Sequence, residues 1–323
     1  MKAAAALLAL LATASAPAPS AFDMVVLGAR GGIEDGNLTA FMIHPHGDAR
    51  AVTCDAGTLV QGLRVAATKG TIGPAPAGSG LSPVGYALTH DIKGYLISHA
   101  HLDHVGGLIV ASPDDSAKPI YALPSVNAEI LRSYFRNGPW SNFTDRGEPP
   151  RLGKYHVADL VPGATTPLAD TAMTVTAYPL QHGALESTAF LVEHGQDGLL
   201  CFGDTGADSV EHSDKLRQVW TAVAERVRAK RLKAIVIEVS FPSERPDDKL
   251  FGHLTPRLLL AELHTLEGLA GKGSLKGLPV VVSHIKYALT DVQPQAKIMA
   301  ELAAGNDLGV RFLLPEQGQR LRF

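Results

Sequence analysis

His99-Ala100-His101-Leu102-Asp103-His104 is the stretch that decides the fold. Three imidazoles and a carboxylate packed this closely form a donor set that borderline Lewis-acid cations prefer. The run follows Gly94 to Ser98, an apolar stretch that reads as a buried strand, and precedes Val105 to Ala111, which reads as a short helix. On the intervening loop, His99 and His101 are expected to point to one side and Asp103 and His104 to the other, so that two cations are held side by side. Gly106 and Gly107 allow the close turn that follows. A solvated histidine loop is the competing reading, and the rest of the chain decides against it.

A paired-cation site needs more donors than this run supplies, and they should stand at other strand ends. His182 closes the apolar stretch that begins at Met173, Asp204 follows Leu199 to Phe202 in Cys201-Phe202-Gly203-Asp204, and His284 follows Pro279 to Ser283. Asp55 stands at the end of Ala51 to Cys54. Each of these has an unremarkable explanation when taken singly, and their order along the chain is what counts.

The surrounding pattern alternates short apolar runs with helical spacing. Met24 to Gly28, Ala40 to His44, Ala51 to Cys54 and Pro119 to Leu123 read as strands, and Thr58 to Lys69 and Ser125 to Phe135 as helices. Gly70 to Gly85 and Gly138 to Gly153 read as loops. In the second half, Met173 to Tyr178, Ala189 to Glu193, Leu199 to Phe202, Ala234 to Val239 and Pro279 to Val282 are expected as strands, with Val310 to Leu314 as the closing strand. Helices are expected from Ser209 to about Arg231, from Thr255 to Leu266 and from Gln293 to Ala304. Two strand-rich halves, each ending in helices, predict two packed sheets with helices outside, an αββα sandwich of the α/β class.

With these motifs in order, the chain resembles the metallo-β-lactamase superfamily. The resemblance implies that His99, His101 and His182 hold one metal, Asp103, His104 and His284 the second, and that Asp204 bridges them. It implies a second-tier role for Asp55. Asp204 argues for a paired-metal hydrolase, and His101, where a glutamate would stand, argues against the redox-active di-iron branch. The longer run from His99 through Val105-Gly-Gly-Leu-Ile-Val-Ala-Ser-Pro113 is similar to the signature of class II cyclic nucleotide phosphodiesterases. His90-Asp91-Ile92-Lys93-Gly94, Trp140-Ser-Asn142-Phe143 and Glu238-Val-Ser-Phe-Pro242 with Leu250-Phe-Gly-His253-Leu254 extend the similarity. Asn137-Gly138-Pro139 departs from the more apolar approach to Trp140 expected in that family.

The resemblance implies hydrolysis of 3',5'-cyclic AMP, with cyclic GMP as a second substrate, to the 5'-monophosphate. Two divalent metals, zinc by donor type, and a metal-bridging hydroxide are implied, with Asp103 counted among the catalytic groups. His253 is the expected acid for the leaving sugar oxygen, oriented by Glu238. Trp140 and Phe143 are expected to stack on the base and Asn142 to bond its edge. Alternatives are a lactonase, β-lactamase or general phosphodiesterase on the same metals, and a cyclic-nucleotide binder without turnover.

Composition sets the remaining bounds. A chain of 323 residues, 46% of them apolar, can bury a full core as a single catalytic domain. The formal charge of -3 offers no basic face, so the expected partner is a small cyclic nucleotide and not polymeric nucleic acid. A homodimer is allowed for. Met1-Lys2, the apolar Ala3 to Ala12 and the small residues after them read as a secretory signal over residues 1–21, cut after Ala16, Ser20 or Ala21. The catalytic domain then spans 22–323, periplasmic or secreted, with no membrane association after signal removal. Cys54 and Cys201 could pair in an oxidising compartment, but two buried free thiols are the favoured expectation.

Overall fold

The computed structural model describes residues 20–323, so the expected signal segment lies largely outside the described residues. The first half supplies β1 (Phe22–Gly28), β2 (Arg30–Gly31), β3 (Ala40–Pro45), β4 (Ala51–Cys54), α1 (Val60–Thr68), α2 (Pro83–Tyr86), β5 (Ile92–Leu96), α3 (Leu102–Ala111), β6 (Lys118–Ala122), α4 (Pro124–Ser133) and β7 (Tyr155–Asp159). The second half supplies β8 (Thr165–Pro167), β9 (Thr174–His182), β10 (Leu185–His194), β11 (Asp197–Phe202), α5 (Asp208–Glu211), α6 (Lys215–Arg228), β12 (Leu232–Glu238), α7 (Pro256–Ala270), β13 (Pro279–Ser283), β14 (Ile285–Lys286), α8 (Gln295–Ala304), β15 (Arg311–Leu313) and β16 (Arg320–Arg322).

Two seven-stranded mixed sheets result, in the orders β16-β1-β3-β4-β5-β6-β7 and β15-β13-β12-β11-β10-β9-β8. The strands of the second sheet are apolar on both faces, because each face covers a different layer. Along β12, Ala234 and Val236 face the first sheet while Ile235 and Ile237 face the helices. Along β10, Phe190 and Val192 alternate with Ala189 and Leu191 in the same way. The helical layer of this half is amphipathic: α6 buries Leu216, Val219, Trp220, Val223 and Val227, and α7 buries Leu258, Leu259, Leu263 and Leu266. The αββα sandwich expected from the sequence is the observed architecture.

Three local expectations are corrected. The helix expected from Ser209 to Arg231 is two helices, broken where His212 takes a left-handed conformation (φ 51°). Asp208 makes the break stable, since its carboxylate accepts from Ser213 Oγ (2.6 Å), Leu216 N (3.1 Å) and Arg217 N (2.8 Å) at the start of α6. The chain does not close on Val310 to Leu314. It returns to the first sheet, where β16 pairs antiparallel with β1.

The third correction concerns the cysteines, which form the disulfide Cys54–Cys201. Cys54 ends β4 in one sheet and Cys201 lies in β11 of the other, and both face the shared core with Cα atoms 6.7 Å apart. A sequence separation of 147 hid this proximity, which only the packing of the two sheets creates.

Candidate metal centre

Parallel pairing explains why the donors converge. β4 and β5 run parallel with Cys54 beside Leu96, so Asp55 and the run beginning at His99 leave the same edge of the first sheet. In the second sheet β11, β12 and β13 are parallel, with Cys201 beside Val236 and Glu238 beside Ser283, so Asp204, Glu238 and His284 leave one edge together. In α/β sheets the carboxyl ends of parallel strands are where ligands bind. α3 begins at Leu102, three residues earlier than expected, which places Asp103 and His104 on its first turn instead of on a loop.

The seven donors expected from the sequence are brought together. His99, His101, His182 and Asp204 form one group and Asp103, His104 and His284 a second, each with ligand atoms within 4.8 Å of one another. Asp204 lies between them: Oδ2 is 3.9 Å from both His99 Nε2 and His182 Nε2 and 3.2 Å from His284 Nε2, while Oδ1 is 3.3 Å from His104 Nε2. His99 Nε2 and His104 Nε2 are buried without a hydrogen-bond partner among the described residues. Orphaned buried nitrogens are costly, so the donor set fits divalent cations.

The ligands are held from behind. Asp55, fully buried with φ 57°, accepts from His104 Nδ1 (2.7 Å), Ser98 N (2.8 Å) and Ser98 Oγ (2.9 Å). Ser98 Oγ also contacts His99 Nδ1 at 3.0 Å, and His182 Nδ1 donates to Gly252 O at 2.8 Å. Asp103 Oδ2 accepts from Gly32 N at 2.7 Å. Gly31 is required by close approach, because a Cβ there would lie 2.2 Å from the His284 ring. Ser98, Ser240, Gly31 and Gly252 were not singled out from the sequence, since serine and glycine carry no metal-site signal of their own.

Burial first, and then neighbouring imidazoles, hold His99 well below the ordinary histidine range. Burial likewise lowers His101, and lowers His182 to about 4. At His104 burial opposes charge, but Asp204, Asp55 and Asp103 overcome it and raise the pKa well above 6.5. At Asp204 burial is outweighed by His284 and His104, which hold the carboxylate ionised.

Glu238 and His253 meet as expected. His253 Nδ1 is 2.8 Å from Glu238 Oε1, and Glu238 also accepts from Ser240 Oγ (2.6 Å) and Thr205 N (2.9 Å). Burial works against charge on His253, yet Glu238 and Asp204 raise its pKa. His253 Nδ1 is also 3.7 Å from Asp204 Oδ2, close enough to group it with His284 as a cation donor. Its tie to Glu238 engages that nitrogen and leaves Nε2 as the ring's other donor.

The Trp140 to Phe143 segment is not at this centre. Trp140 Nε1 donates to Ser112 Oγ (2.9 Å) just beyond the C-terminal end of α3, roughly 14 Å of helix from Asp103. Asn142 is fully buried and its amide is saturated, donating to Arg146 O and Glu148 O (2.8 Å each) and accepting from Thr144 N (3.0 Å) and Thr144 Oγ1 (2.7 Å). Phe143 packs edge-on against Phe135. These three residues fold a loop, and the expected base contacts are corrected. The cavity that does adjoin the cluster, about 380 Å³, lies between α4 and the β9–β10 hairpin.

Against known sequences, the model of the class-II cAMP phosphodiesterases matches residues 82–318. The chain belongs to this family. A 3',5'-cyclic-nucleotide phosphodiesterase of Aliivibrio fischeri is 49% identical over 306 residues, covering 94% of this chain and 93% of that protein. The crystal structure of unliganded yeast PDE1 superposes with a TM-score of 0.83 at 24% identity, covering 94% and 100% of the two chains. The metallo-β-lactamase fold protein YhfI from Bacillus subtilis shares the fold with a TM-score of 0.61 at 13% identity, over 94% and 99%. This class-II phosphodiesterase therefore carries the resemblance read from its histidine run across nearly the whole chain.

Proposed function

We propose that the chain hydrolyses 3',5'-cyclic AMP, and cyclic GMP as a second substrate, to the nucleoside 5'-monophosphate. His99, His101 and His182 would hold one divalent cation and Asp103, His104 and His284 another, with Asp204 shared between them. The nitrogen-rich donor set favours zinc. When bound, the cations supply water ionised at neutral pH and stabilise charge on the phosphoryl oxygens. The chain's own residues then do the rest. As water adds to phosphorus and the P–O3' bond breaks, His253 Nε2 delivers a proton to O3', while Glu238 holds Nδ1–H and stabilises the imidazolium. The observation that carries this reading is the Glu238–His253 pair beside a complete donor set, because a binder without turnover needs no leaving-group acid.

The leader-like start at Met1-Lys2 supports a periplasmic or secreted enzyme. Among the described residues no helix is long and apolar enough to cross a membrane. Replacing His253 with Ala is expected to lower turnover of cyclic AMP by about 10²–10⁴-fold with metal content retained. Unchanged turnover would remove His253 from the mechanism. Wild-type protein that leaves cyclic AMP intact with zinc while opening a lactone or β-lactam would overturn the substrate assignment.

A further inference from the structure

The cavity beside the cluster has an acidic wall. His99 and His101 form one end, and Ser125, Glu129 and Glu186 line the other side. An anionic cyclic phosphate gains nothing from carboxylates, so they belong with its neutral nucleoside half, where they can act only as hydrogen-bond acceptors. The two acids differ in what they already bind. Glu129 is held by Arg132, through Nε (3.2 Å) and Nη2 (2.6 and 2.7 Å), and by Ser133 Oγ (2.5 Å). Glu186 accepts from Ser125 Oγ at Oε2 (2.5 Å), but among the described residues its Oε1 has only Lys215 Nζ at 3.9 Å.

Position favours Glu186 as well. It pairs with Gln181 across the hairpin, next to the pairing of Leu185 with His182. By the alternation of β10 it shares a face with Thr188, which donates to Ser98 O (2.8 Å), and with Phe190 of the inter-sheet core. Its carboxylate lines the same cavity as His99 and His101, between Ser125 Oγ of α4 and Lys215 Nζ of α6. In a 3',5'-cyclic nucleotide, the donor nearest the scissile ester is the ribose 2'-hydroxyl, on the carbon next to C3', and it is common to every base.

We propose that this cavity takes the nucleoside half of the substrate and that Glu186 Oε1 accepts the hydrogen bond of the ribose 2'-hydroxyl. Glu186 is then a specificity-determining residue for ribose over deoxyribose and indifferent to the base. The inference rests on the phosphodiesterase reading above.

The test compares cyclic AMP with 2'-deoxy cyclic AMP in wild type, E186Q and E186A, with zinc content and hydrolysis of bis(p-nitrophenyl) phosphate as readouts that need no ribose. Wild type is expected to favour the ribose substrate in kcat/KM on the order of ten- to a hundredfold, the range of a hydrogen bond to a charged group. E186A should lose that preference through KM for cyclic AMP, and E186Q should keep part of it. Zinc content and bis(p-nitrophenyl) phosphate turnover should stay at wild-type levels in both variants. An unchanged ribose preference in E186A, or parallel losses on all three substrates, would overturn the role of Glu186 and leave the phosphodiesterase reading standing. Failure of wild type on both cyclic nucleotides would sink the two together.

Discussion

Replacing Asp55 with Asn probes how the metal centre is held without touching a ligand. The backbone tolerates the change, because asparagine is among the few residues at ease in the left-handed conformation that Asp55 adopts at φ 57°. The side chain does not. Asp55 serves three donors, Ser98 N, Ser98 Oγ and His104 Nδ1, at 2.7–2.9 Å. An amide offers one acceptor oxygen and an NH2. With the oxygen on Ser98 N, the NH2 confronts His104 Nδ1–H; with the amide flipped, it confronts Ser98 N–H. The first clash is relieved if His104 moves its proton to Nε2, the nitrogen 3.3 Å from Asp204 Oδ1, which then cannot bind a cation. Loss of such a supporting partner lowers metal affinity by roughly 10–100-fold, or about 1.4–2.7 kcal/mol. The loss should be selective, since His104 belongs with Asp103 and His284, whereas His99, His101 and His182 form the other group. Metal content measured after dialysis against increasing chelator should therefore fall in two stages in D55N, one cation leaving early and one at the wild-type concentration. Simultaneous release of both, or wild-type retention of both, would refute the reasoning.

Replacing Cys54 and Cys201 together with Ala should lower stability by about 2–5 kcal/mol, since the bridge closes 147 residues, and should lower Tm by roughly 3–8 °C; an unchanged Tm under oxidising conditions would contradict it. Asn142→Ala should cost about 2–4 kcal/mol in urea unfolding, because it strands buried donors and acceptors, while KM for cyclic AMP stays unchanged. A raised KM at full stability would return Asn142 to the substrate site. Metal binding at neutral pH should release a proton from His104, whose pKa is raised, so affinity increases with pH; calorimetry in buffers of different ionisation enthalpy would read this as net proton release, and a value of zero would exclude it. In chelator-stripped protein the two histidines act in opposite senses. His182, lowered to about 4, binds its proton later than the unfolded chain does, so stability falls as pH drops from about 6.5 to 4. The stabilisation from protonated His104 is complete below about 6.5 and is lost as pH rises through its raised value.

The donors were legible because metal ligation demands particular side chains at strand ends, and apolar runs mark where strands stop. His99 through His104, His182, Asp204 and His284 each follow such a run, and Glu238 and His253 were reachable through the similarity of their flanking residues. The order of the main strands and helices was legible for the same reason, but not the short strands β2, β7, β8, β14 and β16, nor the break at His212, where Asp208 acts across the turn rather than along the helix.

Tertiary structure decided what depends on neighbours distant in the chain. The Trp140 to Phe143 segment carries aromatic and amide groups suited to a nucleobase, and only packing shows that they anchor a loop at the far end of α3. Cys54 and Cys201 read as core residues and are bonded, because β4 and β11 face each other across the sandwich. The amino-acid sequence alone sufficed to place histidines and aspartates at strand ends around one centre, since local patterning and donor chemistry dictate that, and the class-II phosphodiesterase reading came from the resemblance of its motifs to that family. Which residues line the cavity beside the cluster, and which hydrogen bonds each has left to offer, followed only from the convergence of α4, the β9–β10 hairpin and the two sheet edges in space.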